Sequence, residues 1–359
     1  MNVSQRTVTL HLAEPLRISR STMAARDAVW LRIEHAGQRG HGEAVSSAYY
    51  GLDTATLQRL LHEAALELGR FADPESALRA LWEEQPGRRP AAVTAAVESA
   101  LLDLCGKRAG HPVHRLVGAT AEPYAATART IGIASAERAA VRARCLADSG
   151  FSVIKVKAGT PDPEDDLARI RAVRAAAPHA RLLLDPNGAW TTAQARELLP
   201  RCVELGVEAV EQPIAPGAPE ALARLAAHAP LPVIADEDAV AYEDVRRLAG
   251  RVQGVNVKLA KCGGVHAALR IASLIEGSGT ALMLGCLTAS TLGIAPAVHL
   301  AGHARWTDLD GHLLLARDPW TGIGGTDGVV RASGHPGLGV RPLATAEETG
   351  EEGRRENVA

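Results

Sequence analysis

Successive short apolar runs between residues 153 and 261 each stop at a charged side chain. These are Lys155 and Lys157 in SVIKVKAG, Asp185 in RLLLDPN, Glu211 in EAVEQPI, Asp236 in PVIADED and Lys258 in GVNVKLAK. Gly or Pro bounds the runs, and helical patterns of roughly 10 to 16 residues separate them, which is the spacing of repeated βαβ units. A parallel sheet built this way closes into a barrel whose strand C-termini share one mouth. Residues about 25 apart in sequence then converge on a single ion.

The alternation runs from Ala125 to about Ala316. Eight strands are expected, ATARTIGI, FSVIKVKA, RLLLDP, EAVEQPI, PVIADE, GVNVKLA, ALMLGC and WTDLDG, with helices starting near Ala134, Pro163, Thr191, Pro219, Tyr242, Val265 and Thr291. Eight strands and seven helices predict a (β/α)7β modified TIM barrel, because LLLARDPWTGIGGTDGVV turns Gly-rich where a last helix would stand. Upstream, RTVTLHLA, DAVWLRIEHAG and RGHGEAV read as antiparallel strands, and three helical stretches follow, with Asp53 and Pro74 as start signals. Strands followed by helices predict a separate N-terminal α+β capping domain. The basic stretch LRISRSTMAAR between the first two strands reads as irregular and able to reach over a neighbouring site. The expected division is a cap over 1–122, the barrel over 123–318, a return to the cap over 319–343 and a disordered, charge-dense tail over 344–359.

At 359 residues with a formal net charge of −2, the chain has no basic footprint for nucleic acid or an anionic membrane. A small-molecule partner is expected. MNVSQRTVTLHLAE has no signal-peptide pattern and no apolar run reaches the ~18 residues of a membrane span, so the chain reads as cytoplasmic. Five cysteines without a CxxC pair predict reduced thiols. Assembly into like subunits is left open.

Asp185, Glu211 and Asp236 are hard oxygen donors at the ends of three adjacent strands, a set that suits octahedral Mg2+, with Mn2+ as the alternative. A lone strand-end Asp often caps the next helix; three in consecutive units favour the ion, and Asp238 ranks behind Asp236 on the same parity. Lys155 and Lys157, two apart on one strand, point to the barrel interior together. Repulsion and desolvation should depress their pKa values and make a base. Lys258 ends the strand opposite, with Lys261 as its rival. Two lysines across an ion that holds a substrate carboxylate predict proton removal from one face of the adjacent carbon and return to the other, through a metal-stabilised enediolate. The outcome is racemisation or epimerisation.

The series KxK, DxN, EQP, ADE and NVKLAKCGG resembles the enolase superfamily, muconate lactonizing enzyme subgroup, over nearly the whole chain. The resemblance implies Asp185, Glu211 and Asp236 as metal ligands, Lys157 and Lys258 as the catalytic bases, and Lys155 as their electrostatic partner. In strand eight, Asp308 and Asp310 of WTDLDG alternate onto one face, and this DxD resembles dipeptide epimerases, in which it binds the α-ammonium. The implied activity is epimerisation at the α-carbon of the C-terminal residue of a dipeptide, with Arg20, Thr130, Cys286 and Trp306 as further substrate-binding positions. Tyr49, Arg129 and His312 depart from that branch's pattern, and Arg17 or Arg20 could meet an acidic side chain. The alternatives on the same scaffold are an N-acylamino acid racemase, an o-succinylbenzoate synthase or a muconate cycloisomerase.

Overall fold

The computed structural model describes residues 1–85 and 87–343. The tail expected to be disordered lies outside them. Three antiparallel strands, β1 (Asn2–Ile18), β2 (Ser21–His35) and β3 (Gln38–Val45), form the first sheet. Helices Thr54–Leu68, Pro74–Trp82 and Ala91–Ala109 follow. Asp53 and Asp73 start the first two, each accepting a bond at 2.7 Å from the backbone N–H three residues on. Helix Ala91–Ala109 lies flush on β3 because Gly40 and Gly42 leave it room: a Cβ at Gly42 would stand 2.0 Å from the Ala96 carbonyl.

LRISRSTMAAR is not irregular. It completes the β1–β2 ribbon, with Leu16 opposite Met23 and Ile18 opposite Ser21 around a turn at Ser19 and Arg20. Both faces of this overhang are largely exposed, so its strands lack the inside–outside alternation that reveals a strand in a sequence.

A second sheet runs in strict sequence order through β5 (Arg129–Ile131), β6 (Val153–Lys157), β7 (Arg181–Asp185), β8 (Val207–Glu211), β9 (Val233–Ala235), β10 (Gly254–Lys258), β11 (Ala281–Gly285) and β12 (Trp306–Asp308), all parallel. A bond from the Ala128 N–H to the Thr307 carbonyl, 2.8 Å, joins the first strand to the last. This is the expected barrel of eight parallel strands. Helices begin at Ala136, Pro163, Thr192, Pro219, Tyr242, Val265 and Thr291, while β12 leads into a single 3-10 turn, Gly311–Leu314. The remaining short strands are β4 (Tyr124–Ala126), β13 (Trp320–Thr321), β14 (Val329–Arg331) and β15 (Arg341–Pro342). Around them residues 319–343 touch both parts of the molecule: β14 pairs with β4, Trp320 meets Trp30 edge-on at 5.5 Å, and the Leu338 N–H donates to Asp103 at 2.9 Å.

Two cap carboxylates pin the cap to the barrel. Glu43 accepts from Trp30 Nε1 at 2.7 Å and from the N–H and hydroxyl of Ser290, the N-cap of helix Thr291–Val298. Glu98 accepts from Trp82 Nε1 and from the N–H groups of Val265 and His266, which open helix Val265–Ile275. Carboxylates at helix N-termini satisfy donors that the helix cannot. Among the described residues no helix is long and apolar enough to cross a membrane.

Candidate active site

Alternation along each barrel strand puts residues i and i+2 inside, one above the other. The lower inside layer is apolar, built of Ala128, Val153, Leu183, Ala209, Ile234, Met283 and Trp306. Two residues further along the same strands stand Thr130, Lys155, Asp185, Glu211, Asp236 and Asp308, with Asn256 above Gly254. One pleat separates a hydrophobic plug from a ring of charge.

The charges in that ring pair across strands. Lys155 Nζ lies 3.0 Å from Asp185, 2.6 Å from Glu211 and 2.7 Å from Asp308. Lys157 donates to Asp185 at 2.5 Å, Lys258 to Asp236 at 2.8 Å and Lys261 to the other Asp236 oxygen at 2.5 Å. Asp185, Glu211 and Asp236 are all buried. None caps the helix that follows, because Thr191, Ala218 and Ala241 stand at those N-cap positions.

Burial opposes ionisation of every group here, and the neighbours decide the sign. Lys155 and Lys157 hold Asp185 below the usual carboxylate range, and Lys258 and Lys261 do the same for Asp236. Glu211 is pushed up to about 7 by burial and by repulsion from Asp185 and Asp236. Asp308 is also raised, by burial and then by Asp310, against the pull of Lys155. The expected depression of Lys155 is reversed: desolvation lowers its pKa, but Asp185, Asp308 and Glu211 together raise it well above the ordinary lysine value. Lys258 is raised in the same way by Asp236 and Glu211. A like-charged neighbour two residues away in sequence is outweighed by carboxylates from three other strands.

The donor set fits a hard divalent cation. Burial, and then the repulsion of Asp185 and Asp236, lifts Glu211 to about 7, and a shared cation would relieve that repulsion. The Lys155 ammonium stands at the point where Asp185, Glu211 and Asp308 converge, and among the described residues no three His, Cys, Asp or Glu side chains are arranged to hold a metal ion.

The other expected positions divide. Cys286 follows β11 beside Asp308, Asp310 and Lys258, its thiol kept neutral first by burial. Asp310 belongs to the mouth, but its Oδ2 already accepts from the Thr130 N–H at 2.7 Å and from Arg129 at 3.2 Å, while Arg129 also donates to the Leu313 carbonyl. The DxD pair is therefore less anionic than alternation alone suggested. Arg20, at the hairpin tip, is 2.8 Å from Glu237 and lies under the Tyr49 ring at 4.5 Å, so it is already neutralised. The Arg17 backbone carbonyl accepts from the Ile133 N–H at 2.8 Å. Trp306 is no substrate contact: it fills the lower plug over Gly254, where a Cβ would stand 2.8 Å from the ring, and its Nε1 donates downward to Glu208 at 2.8 Å. Parity was right and height was wrong. Asp238, beyond the end of β9, turns away to Gln212 and the Gly217 N–H. His312 is buried against the Gly324 carbonyl.

Three polar residues that sequence reasoning missed shape the ring. Asn256 donates to Glu211 at 2.9 Å, and its signal was its parity with Lys258 in GVNVK. Gln212, at a positive φ of 36°, accepts from the Asp236 and Asp238 N–H groups and donates to Asp238. Asn187 donates to Asp185 from both backbone and side chain.

Compared with known proteins, residues 1–118 match the mandelate racemase / muconate lactonizing enzyme N-terminal domain, and residues 136–346 match the enolase C-terminal domain-like family. The chain is 33% identical over 344 residues to a hydrophobic dipeptide epimerase of Roseobacter litoralis, covering 94% of this chain and 98% of that one. It is 32% identical over 320 residues to an L-Ala-D/L-Glu epimerase of Bacteroides thetaiotaomicron, covering 88% and 81%. A dipeptide epimerase from Enterococcus faecalis V583, solved with Mg and L-Leu-L-Tyr, superposes with a TM-score of 0.88 at 29% identity, covering 94% of this chain and 98% of that one. Cap, barrel and end-to-end likeness together establish that this chain belongs to the mandelate racemase / muconate lactonizing enzyme family of the enolase superfamily and is an isomerase of the epimerase type.

Proposed function

We propose that the enzyme epimerises dipeptides at the α-carbon of the C-terminal residue, with Mg2+ held by Asp185, Glu211 and Asp236 and with Lys157 and Lys258 as the two bases. One observation carries this. Lys157 and Lys258 end β6 and β10, the second and sixth of eight strands, and the three carboxylates end or follow the three strands between them. A carboxylate anchored at β7–β9 presents its α-carbon between two ammoniums on opposite sides. The cation, when bound, supplies Lewis-acid stabilisation of the charge that develops on that carboxylate. Lys155 adds positive charge common to both directions. One lysine must enter as the free amine, and Asp185, Glu211 and Asp236, which now favour protonated lysines, would do so less if their charge were engaged in holding the cation. Lys157 or Lys258 then takes the α-proton from its own side while the other returns one. Asp308, with Oδ1 buried and unpartnered, is the group suited to a substrate ammonium. The five cysteines are all free, which supports a reducing, cytoplasmic setting.

The test is incubation with Mg2+ and a dipeptide library in D2O, followed by mass and proton NMR. Deuterium gain at the C-terminal α-position is expected, and none across the library overturns the proposal. A second reading, racemisation of an N-acylamino acid, is favoured by Arg129, whose guanidinium compensates Asp310. It predicts turnover of acylated and not of free substrates.

A further inference from the structure

The cap carries a half-buried cation that no acidic group among the described residues answers. Arg26 sits on β2. Its Nε and Nη2 reach only the Met23 thioether, at 3.3 and 3.2 Å, and a thioether is a weak acceptor. Its Nη1 is buried with no hydrogen-bond partner. The groups within its electrostatic reach are the Cys286 thiol and the Tyr50 phenol, both held neutral by burial. Burial also draws the guanidinium pKa below its ordinary value. The other arginines at the mouth differ: Arg20 has Glu237 and Arg129 has Asp310. A desolvated charge without a counter-charge is costly enough that its partner is expected to arrive from outside.

Position says which part of a ligand brings it. Arg26 pairs with Leu10 of β1, and the next residues of β1 dock just past β12, where the His11 carbonyl accepts from the Ala316 N–H at 2.9 Å and Leu12 bridges Leu315, so Arg26 overlies the β12 flank of the mouth. On the reading proposed above, on which this inference rests, the C-terminal carboxylate is held at β7–β9, the α-carbon lies between Lys157 and Lys258, and the amino end runs toward Asp308. The side chain over β11 and β12 is then that of the first residue. We propose that Arg26 receives the side-chain carboxylate of an acidic N-terminal residue, so that the preferred substrates are Glu-X or Asp-X dipeptides. Guanidinium and carboxylate meet in a planar two-point pair, with the free Nη1 as one donor and Nη2, released from the thioether, as the other.

The experiment compares L-Glu-L-Leu, L-Gln-L-Leu and L-Leu-L-Glu with Mg2+, following kcat/KM and the shift of Tm on binding. In the wild type, L-Glu-L-Leu should exceed L-Gln-L-Leu by about 100-fold, as expected when a desolvated charge loses its only partner. Arg26→Gln should bring that ratio close to one. Should Arg26→Gln melt too low to assay, Arg26→Lys serves, with the ratio reduced about tenfold because an ammonium offers a point contact instead of a fork. A wild-type ratio near one, a ratio that survives Arg26→Gln, or a preference for L-Leu-L-Glu overturns the inference while leaving the epimerase proposal standing. If no dipeptide turns over, the Tm shifts still decide: a larger shift with L-Glu-L-Leu that Arg26→Gln abolishes keeps the anion site and removes the epimerase reading, and equal shifts remove the inference.

Discussion

Val153 and Lys155 stand two residues apart on one face of one strand, yet they belong to different worlds. Val153 joins Leu183, Ile234, Met283 and Trp306 in a plug without charge. Lys155 enters a ring in which an ammonium from one strand meets carboxylates from three others. The plug needs shape: Trp306 fits because Gly254 and Ala209 leave volume beneath it, and the cost of error is a cavity. The ring needs charge balance, and the cost of error is a buried ion without a partner. Stability is concentrated in one layer and chemistry in the next, 3.3 Å or so per residue along the strands.

The largest effects should come from the ring. Lys157→Ala and Lys258→Ala should each lower epimerisation by about 10³-fold, within the range for losing a general acid or base, with little change in Tm. Each should still exchange the α-hydrogen of the one epimer that faces the remaining lysine. Proton NMR of each pure epimer in D2O reads this directly; loss of exchange from both epimers in both variants would break the facial assignment. Chelation should abolish turnover, and Glu211→Gln should require far more Mg2+ for the same rate. In the plug, Trp306→Ala should cost about 3–5 kcal/mol in urea unfolding, while kcat per folded molecule changes only a few-fold. If activity fell 10³-fold in that variant at full folding, the two layers would not be separable.

A smaller effect belongs to the carboxylates that burial lifts, with or without a lysine beside them. Glu98 is pushed up to about 7 by burial and faces helix N–H groups with no lysine. Its folded pKa lies above its unfolded value, so the folded state holds the extra proton. Its contribution is therefore complete below about pH 4.5 and is lost as pH rises through about 7. Glu211 behaves alike in the metal-free protein. Tm of the chelated enzyme should fall between those pH values; Mg2+ should remove the Glu211 part only, and Glu98→Gln the Glu98 part only. An unchanged slope in Glu98→Gln would exclude that residue.

The sequence was most readable where structure repeats. Strand ends and helix starts follow from apolar periodicity and capping, so the helices expected near Pro163, Pro219, Tyr242, Val265 and Thr291 begin there. Parity also placed Lys155, Lys157 and Lys258 inside. What parity cannot supply is height, which misassigned Trp306, or a sum over partners from distant strands, which reversed the sign for Lys155. The β1–β2 overhang escaped because it buries neither face. Asn256 carried one signal, its parity with Lys258, whereas Gln212 lies past the end of β8 where strand parity no longer applies, and the Arg129–Asp310 pair joins residues 181 apart.

That last pair also sets the subtlest expectation, because it lies where the ring borders the substrate's amino end. Arg129 donates to Asp310 at 3.2 Å and to the Leu313 carbonyl at 2.8 Å, so it both lowers the negative charge of the DxD pair and ties down the turn after β12. Removing it separates these roles. If charge is the important part, Arg129→Ala should lower KM for free dipeptides about three- to tenfold, as a rim charge of the right sign is restored to a half-desolvated pocket, and should raise KM for N-acetylated ones. Asp308, already raised by burial and then by its neighbour Asp310, should rise further, moving the acid limb of kcat/KM to higher pH. If tying the turn is the important part, both substrate classes should lose kcat together and the pH profile should stay where it is. Arg129→Gln, which keeps a donor for Leu313 and drops the charge, decides between them: a KM split like that of Arg129→Ala assigns the effect to charge, and wild-type behaviour assigns it to the turn.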